Sequence, residues 1–77
     1  MSLGEFLKHI RMLHGLNQTE LGNMCFRTKD YIYLIENGKA KPTSEELYLI
    51  SEKLEEPILK LITYGMVAEQ LLDLKLK

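Results

Sequence analysis

Apolar residues recur at helical spacing along most of the 77-residue chain. The first amphipathic stretch ends at Gly15, a second ends near Met24, and a third begins at Thr28 and ends at Gly38. No segment shows the sustained alternation of apolar and polar residues that is typical of a half-buried strand. The pattern therefore predicts an all-α fold.

Pairs of polar residues indicate where two of the helices begin. Asn17 with Glu20, and Thr43 with Glu46, have the spacing of a capping box, in which each side chain bonds the backbone N–H of the other residue. Pro57 suits the first position of a further helix, because its missing N–H would have no partner there. The sequence thus predicts a five-helix domain over residues 1–64 and an additional C-terminal helix over residues 65–77.

The C-terminal segment contains more apolar residues than so small a core requires. An exposed apolar stripe on a small protein usually marks an interface. We therefore expect a dimer interface that includes apolar residues of this segment and of the preceding helix, namely Leu59, Val67, Leu71 and Leu74. The alternative, in which the segment folds back onto its own monomer, stays open.

Composition excludes several classes of protein. The chain is 45% hydrophobic and 27% charged, which is typical of a soluble globular domain, and no apolar run approaches the ~20 residues of a membrane span. Cys25 is the single cysteine, so no disulfide framework is expected, and no Cys/His spacing suits zinc. The N-terminus lacks the unbroken apolar core of a signal peptide.

We expect a cytoplasmic protein without a metal or cofactor. We expect no enzyme either, because no nucleophile–base pair or phosphate loop is present.

Charge is unevenly distributed although the formal net charge is only −1. Residues 1–41 contain six Lys or Arg and four acids, a net of +2, whereas residues 42–77 contain four Lys and seven acids, a net of −3. One face could therefore attract a polyanion. The asymmetry is too mild to establish nucleic-acid binding.

The second and third stretches form a short helix, a tight turn and another short helix, which is helix-turn-helix geometry. The segments LNQTEL (16–21), IYLIENGK (32–39) and PTS (42–44) resemble the repressor/Cro-type helix-turn-helix family of phages and bacteria. The resemblance runs from about Leu3 to Ile62. The matching positions are Arg11, Gly15, Gln18, Leu21, Ile32, Ile35, Glu36, Gly38, Lys39 and Pro42.

The resemblance implies a recognition helix at about Thr28–Asn37 that reads the major groove of double-stranded DNA. The residues expected to contact bases are Thr28, Lys29, Asp30, Tyr33 and Leu34. Those expected to contact phosphates are Asn17, Gln18, Arg27, Tyr31, Asn37, Lys39 and Lys41. It also implies a structural ion pair between Arg11 and Glu36, and a homodimer that binds a two-fold symmetric operator.

The turn departs from the family pattern. Phe26 stands where Gly is usual, and Arg27 stands where an apolar residue is usual. Either Phe26 adopts a positive φ at a cost of about 1 kcal/mol, or the turn is remodelled so that Phe26 supplies the apolar plug and Arg27 points outward. We favour the remodelled turn.

Two functions are compatible with these residues. The first is a sequence-specific transcriptional regulator, a repressor of phage or mobile-element type. The second is a protein-interaction module or antitoxin that uses the same frame to bind a toxin, an antirepressor or another regulator. The second would use a mixed apolar patch, because Tyr is enriched at protein interfaces; the patch consists of Asp30, Tyr31, Tyr33 and Leu34.

Overall fold

The computed structural model of the chain describes residues 2–57, which form four helices and no strand. The helices are α1 (Leu3–Leu13), α2 (Gln18–Met24), α3 (Lys29–Glu36) and α4 (Ser44–Leu54). The all-α prediction is confirmed over this range. None of the helices in residues 2–57 is long and apolar enough to cross a membrane.

Several sequence-based predictions concern residues outside the described range. These are the body of the fifth helix, the C-terminal helix, the boundary between residues 64 and 65, and the dimer-interface residues Leu59, Val67, Leu71 and Leu74. They stay predictions.

A polar side chain caps the start of each described helix. Its oxygen accepts a hydrogen bond from the backbone N–H three residues later, and the four capping residues are Ser2, Asn17, Thr28 and Thr43. At α2 and α4 the glutamate returns the bond, so both predicted capping boxes are confirmed. Replacing such a cap by Ala typically costs about 1 kcal/mol, so these four residues fix the helix starts.

The first three helices end in the same way, with a left-handed residue that lets the chain turn back on the last helical turn. The residues are Gly15 (φ 69°), Phe26 (φ 57°) and Gly38 (φ 73°). In each case the next N–H bonds the carbonyl five residues earlier; after α2, Arg27 N–H donates to Gly22 O at 2.8 Å. Together with the Phe26 N–H bond to Asn23 O, this pattern is a Schellman motif.

The remodelled turn that we favoured from the sequence is wrong. Phe26 takes the positive φ itself, and its side chain is 85% exposed, so it does not supply an apolar plug. The backbone hydrogen bonds of the turn are those that a Gly would make, because they depend on the main chain and not on the side chain. The strain that was expected if Phe26 adopted a positive φ is therefore present.

The core lies where the four helices meet. It consists of ten buried apolar residues: Phe6, Leu7, Ile10, Leu21, Cys25, Ile32, Ile35, Leu47, Ile50 and Leu54. Gly4 allows α1 to approach the end of α3 closely, because a Cβ there would stand 2.4 Å from the carbonyl oxygen of Ile35. Packing of α1 against α3 thus holds the C-terminal end of α3 close to the core.

Candidate nucleic-acid interface

One face of α3 is buried and the opposite face is open to solvent. Ile32 and Ile35 are 2% and 3% exposed, and they anchor the helix in the core. At 100° per residue, Asp30 and Leu34 lie nearly opposite these anchors. The five residues predicted to contact bases are all exposed: Thr28, Lys29, Asp30, Tyr33 and Leu34. The fold therefore brings them onto one accessible surface at α3; base contact itself stays a prediction.

A buried ion pair fixes the C-terminal end of α3. Arg11 Nε donates to Glu36 Oε2 at 2.7 Å, and Arg11 Nη2 donates to Glu36 Oε1 at 3.1 Å. The two side chains are 11% and 2% exposed. A planar guanidinium matches both carboxylate oxygens at once, which makes this geometry specific. The ion pair expected between Arg11 and Glu36 is thus present, and it joins α1 to α3.

The same network reaches the loop before α2 and the start of α2. Arg11 Nη1 donates to the carbonyl of Leu16 at 2.8 Å, and Gln18 Nε2 donates to Glu36 Oε1 at 3.1 Å. We call Arg11, Leu16, Gln18 and Glu36 the buried tether. One amide proton of Gln18 is therefore engaged inside the protein, and its other amide proton and its backbone N–H remain for the predicted phosphate contact.

A second cluster joins the turn and α3 to the start of α4. Arg27 Nε lies 3.1 Å from Glu46 Oε2, and the Arg27 guanidinium carbon lies 3.8 Å from the centroid of the Tyr31 ring. The Tyr31 hydroxyl donates to Glu46 Oε1 at 2.8 Å. We call Arg27, Tyr31 and Glu46 the turn cluster. Arg27 and Tyr31 were predicted to contact phosphates; in the free protein both bind Glu46 instead.

The contact between Arg27 and Glu46 is an ion pair and not a well-aligned hydrogen bond. Glu46 Oε2 is buried and accepts no well-aligned hydrogen bond, although Arg27 Nε stands at ion-pair distance. The Arg27 side chain is 45% exposed, so water screens the pair. The Arg27 guanidinium therefore stays accessible to solvent, whereas the Glu46 oxygen that it faces does not.

The turn cluster shifts the ionisation of the groups around it. Burial disfavours a charged Glu46, but hydrogen bonds from Thr43 and Tyr31 and the charge of Arg27 hold the pKa of its carboxyl below the usual value. Burial, followed by the hydrogen bond to Glu46, raises the pKa of the Tyr31 hydroxyl. Burial and the nearby Glu46 charge raise the pKa of the Cys25 thiol to about 11. Cys25 is therefore a neutral core thiol at pH 7, as its place in the core suggests.

The remaining residues predicted to contact phosphates are exposed. Asn17 caps α2 through Oδ1, and Asn37 Nδ2 donates to the carbonyl of Tyr33 at 2.8 Å. Lys39 and Lys41 lie in the loop after α3 and extend the exposed surface beyond its C-terminus. Within residues 2–57, no group of His, Cys, Asp or Glu could hold a metal ion.

The arrangement of α2 and α3 agrees with a comparison of the chain with known families. The model of the helix-turn-helix family matches residues 7–61. The chain belongs to the repressor/Cro-type helix-turn-helix family. Membership supports a role as a DNA-binding transcriptional regulator. Comparison with curated proteins and with solved structures gives no significant match.

Within the helix-turn-helix, close contact between α2 and the turn depends on Gly22. A Cβ at Gly22 would stand 3.0 Å from the carbonyl oxygen of Arg27 and 3.1 Å from that of Thr28. The small residue therefore lets the turn pack directly on α2. No role for Gly22 was predicted from the sequence.

Proposed function

We propose that the chain is a sequence-specific DNA-binding transcriptional regulator, a repressor of phage or mobile-element type, that binds its operator as a homodimer. The main support for this proposal is the difference between the two ends of α3. In a member of a DNA-binding family, Thr28, Lys29 and Asp30 at the start of α3 are exposed, while the buried tether fixes the other end of the helix. A helix held in this way can enter the major groove as a rigid element.

The exposed side chains differ in whether they can contact bases or phosphates. Lys29 can donate to O6 and N7 of guanine, and the Asp30 carboxylate can accept from the N4 amine of cytosine. Tyr33 and Leu34 offer apolar contact one turn further along. Lys39 and Lys41 can neutralise phosphates, which fixes the position of the domain on the duplex without reading its sequence.

The homodimer follows from the geometry of operators that such domains read. Two copies related by a two-fold axis place their recognition helices about one helical turn apart, ~34 Å, and each copy reads one half-site. Binding of such a dimer would occlude the promoter from polymerase.

Lysine substitutions test the assignment of these roles. We expect Lys39→Ala and Lys41→Ala each to weaken binding to all duplexes and to flatten the slope of log K against log salt by about one unit. Lys29→Ala should instead reduce the preference among base sequences. Fluorescence anisotropy with labelled duplexes measures both quantities. Lys53→Ala, in the last turn of α4, is the matched control and should bind like the wild type.

If all three variants bound every duplex like the wild type, the groove assignment would be incorrect. A specific observation then favours the interaction module. Phe26, Tyr33 and Leu34 are 85%, 49% and 38% exposed around the Asp30 carboxylate, and exposed aromatic residues are enriched at protein interfaces. The interaction module predicts instead that the wild type binds no duplex even at low salt, and that its partner is a toxin or an antirepressor.

A further inference from the structure

The side chain of Phe26 packs little against the rest of the described domain. Phe26 occupies the left-handed C-terminal position of α2, where Gly15 and Gly38 stand at the ends of α1 and α3. A non-Gly residue is strained there, and a side chain that is 85% exposed gains almost nothing from burial. Strain that no packing compensates is typical of residues with a function.

Phe26 forms a wall of an open concavity at the N-terminal end of α3. Phe26, Arg27, Thr28, Asp30, Tyr31 and Leu34 line about 420 Å³, which lies within the ~300–1,000 Å³ of small-ligand clefts. Three of these six residues, Thr28, Asp30 and Leu34, are among those proposed to read bases, so the concavity is continuous with that surface.

The chemistry of the concavity selects one feature of the major groove. Phe26 and Leu34 are apolar walls, and Asp30 between them is a hydrogen-bond acceptor for which the described residues supply no donor. The only apolar group that base pairs present in the major groove is a methyl group at C5 of a pyrimidine. An exocyclic amine, of cytosine on the same base or of adenine nearby, complements the charge of Asp30.

We propose that this concavity binds the 5-methyl group of a pyrimidine, and that Phe26 is a residue that determines the specificity of the DNA site. The inference rests on the proposed DNA-binding function. Thymine and 5-methylcytosine both supply the methyl group, and Asp30 favours the second because its methyl and its amine are adjacent. Phe26 contributes to the choice of sequence, and its loss does not affect the phosphate contacts.

The test begins with a duplex that the full-length wild type selects from a random pool. In that duplex each thymine is replaced in turn by uracil, which removes only the methyl group, and each cytosine is replaced by 5-methylcytosine, which adds one. For the wild type we expect an approximately four-fold change in Kd at one or two positions, the effect of burying one methyl group. Phe26→Gly should lose most of that change. Because Gly relieves the strain at this position, the variant should fold at least as well as the wild type.

Tyr48→Ala is the matched control, because Tyr48 is a 48% exposed aromatic residue of α4 that does not line the concavity. It should keep the wild-type response to both replacements. If the wild type responds to neither replacement, or if Phe26→Gly responds as the wild type does, the proposal is overturned while DNA binding stands. If the wild type selects no duplex at all, the proposed function itself is contradicted.

Discussion

Two Arg–Glu pairs lie near the opposite ends of α3, and their environments differ. The side chains of Arg11 and Glu36 are 11% and 2% exposed, whereas those of Arg27 and Glu46 are 45% and 13% exposed. The buried pair makes two directed hydrogen bonds, and the surface pair makes contact without one. The end of α3 that stays inside the protein is therefore firmly fixed. The end proposed to meet DNA is held by a contact that is partly open to solvent.

The two ion pairs should also differ in how much each contributes to the free energy of unfolding. Removing one partner of a buried ion pair typically costs about 3–5 kcal/mol, because the other charge stays buried without compensation. A partly exposed pair contributes about 0–1 kcal/mol, because water already solvates its charges. The buried tether should therefore control the stability of the domain, and the turn cluster should mainly control the conformation of the turn.

The largest expected effect comes from the buried tether. We expect Glu36→Ala to lower the free energy of unfolding by about 3–5 kcal/mol, since Arg11 and Gln18 lose their acceptor. Urea denaturation followed by circular dichroism measures this loss. Glu46→Ala removes the acid of the surface pair as the matched variant, and it should cost less than half as much. Equal losses in the two variants would contradict the distinction between the two pairs.

The strain at Phe26, in the turn next to Arg27, should lower the free energy of unfolding by about 1 kcal/mol. We expect Phe26→Gly to raise the free energy of unfolding by roughly 1 kcal/mol, because Gly adopts a φ of 57° without a steric penalty. Gly38→Ala tests the reverse change at the equivalent position after α3. A Cβ there meets no atom within 4 Å, so its expected loss of about 1 kcal/mol comes from the backbone alone.

Thermal unfolding of both variants measures these opposite shifts. If Phe26→Gly destabilised the domain, the side chain would have a packing role that its exposure does not indicate.

The smallest effect concerns the charge of the turn cluster. Because the pKa of Glu46 is lower in the folded protein, its ionisation adds stability above the pKa of the unfolded chain, and this stability is lost as pH falls through the folded pKa. Glu46→Gln should therefore cost up to ~1 kcal/mol at pH 7, and this cost should shrink as pH falls through the folded pKa. Urea denaturation over a series of acidic pH values measures the change. Glu45→Gln removes the same charge one residue away and should show a smaller dependence on pH; an equal dependence would argue against the turn cluster.

Local sequence signals sufficed to predict much of the described fold. The capping boxes at Asn17 and Thr43 and the glycine stops at 15 and 38 act over three to five residues, so they can be recognised without a structure. The pair between Arg11 and Glu36 is 25 residues apart in sequence and was expected only because of the family resemblance.

The turn could not be predicted from these local signals. The preference for Gly at positive φ suggested that Phe26 would avoid that conformation, but the helix-turn-helix packing imposes the φ on whichever residue stands there. Glu46 was assigned only to the capping box with Thr43. Its contacts with Arg27 and Tyr31 depend on how α4 packs beside the turn, which is information of the tertiary structure.

The salt dependence of DNA binding by the wild-type chain tests whether the surface at α3 binds DNA. Anisotropy titrations of a random-sequence duplex at about 50 mM and about 200 mM salt give the slope of log K against log salt, which is close to −0.9 for each phosphate neutralised. With Lys39 and Lys41 both on the DNA backbone, affinity should fall on the order of ten-fold or more between the two conditions. No binding at the lower salt concentration, or binding that does not change with salt, would contradict a DNA-reading role for α3.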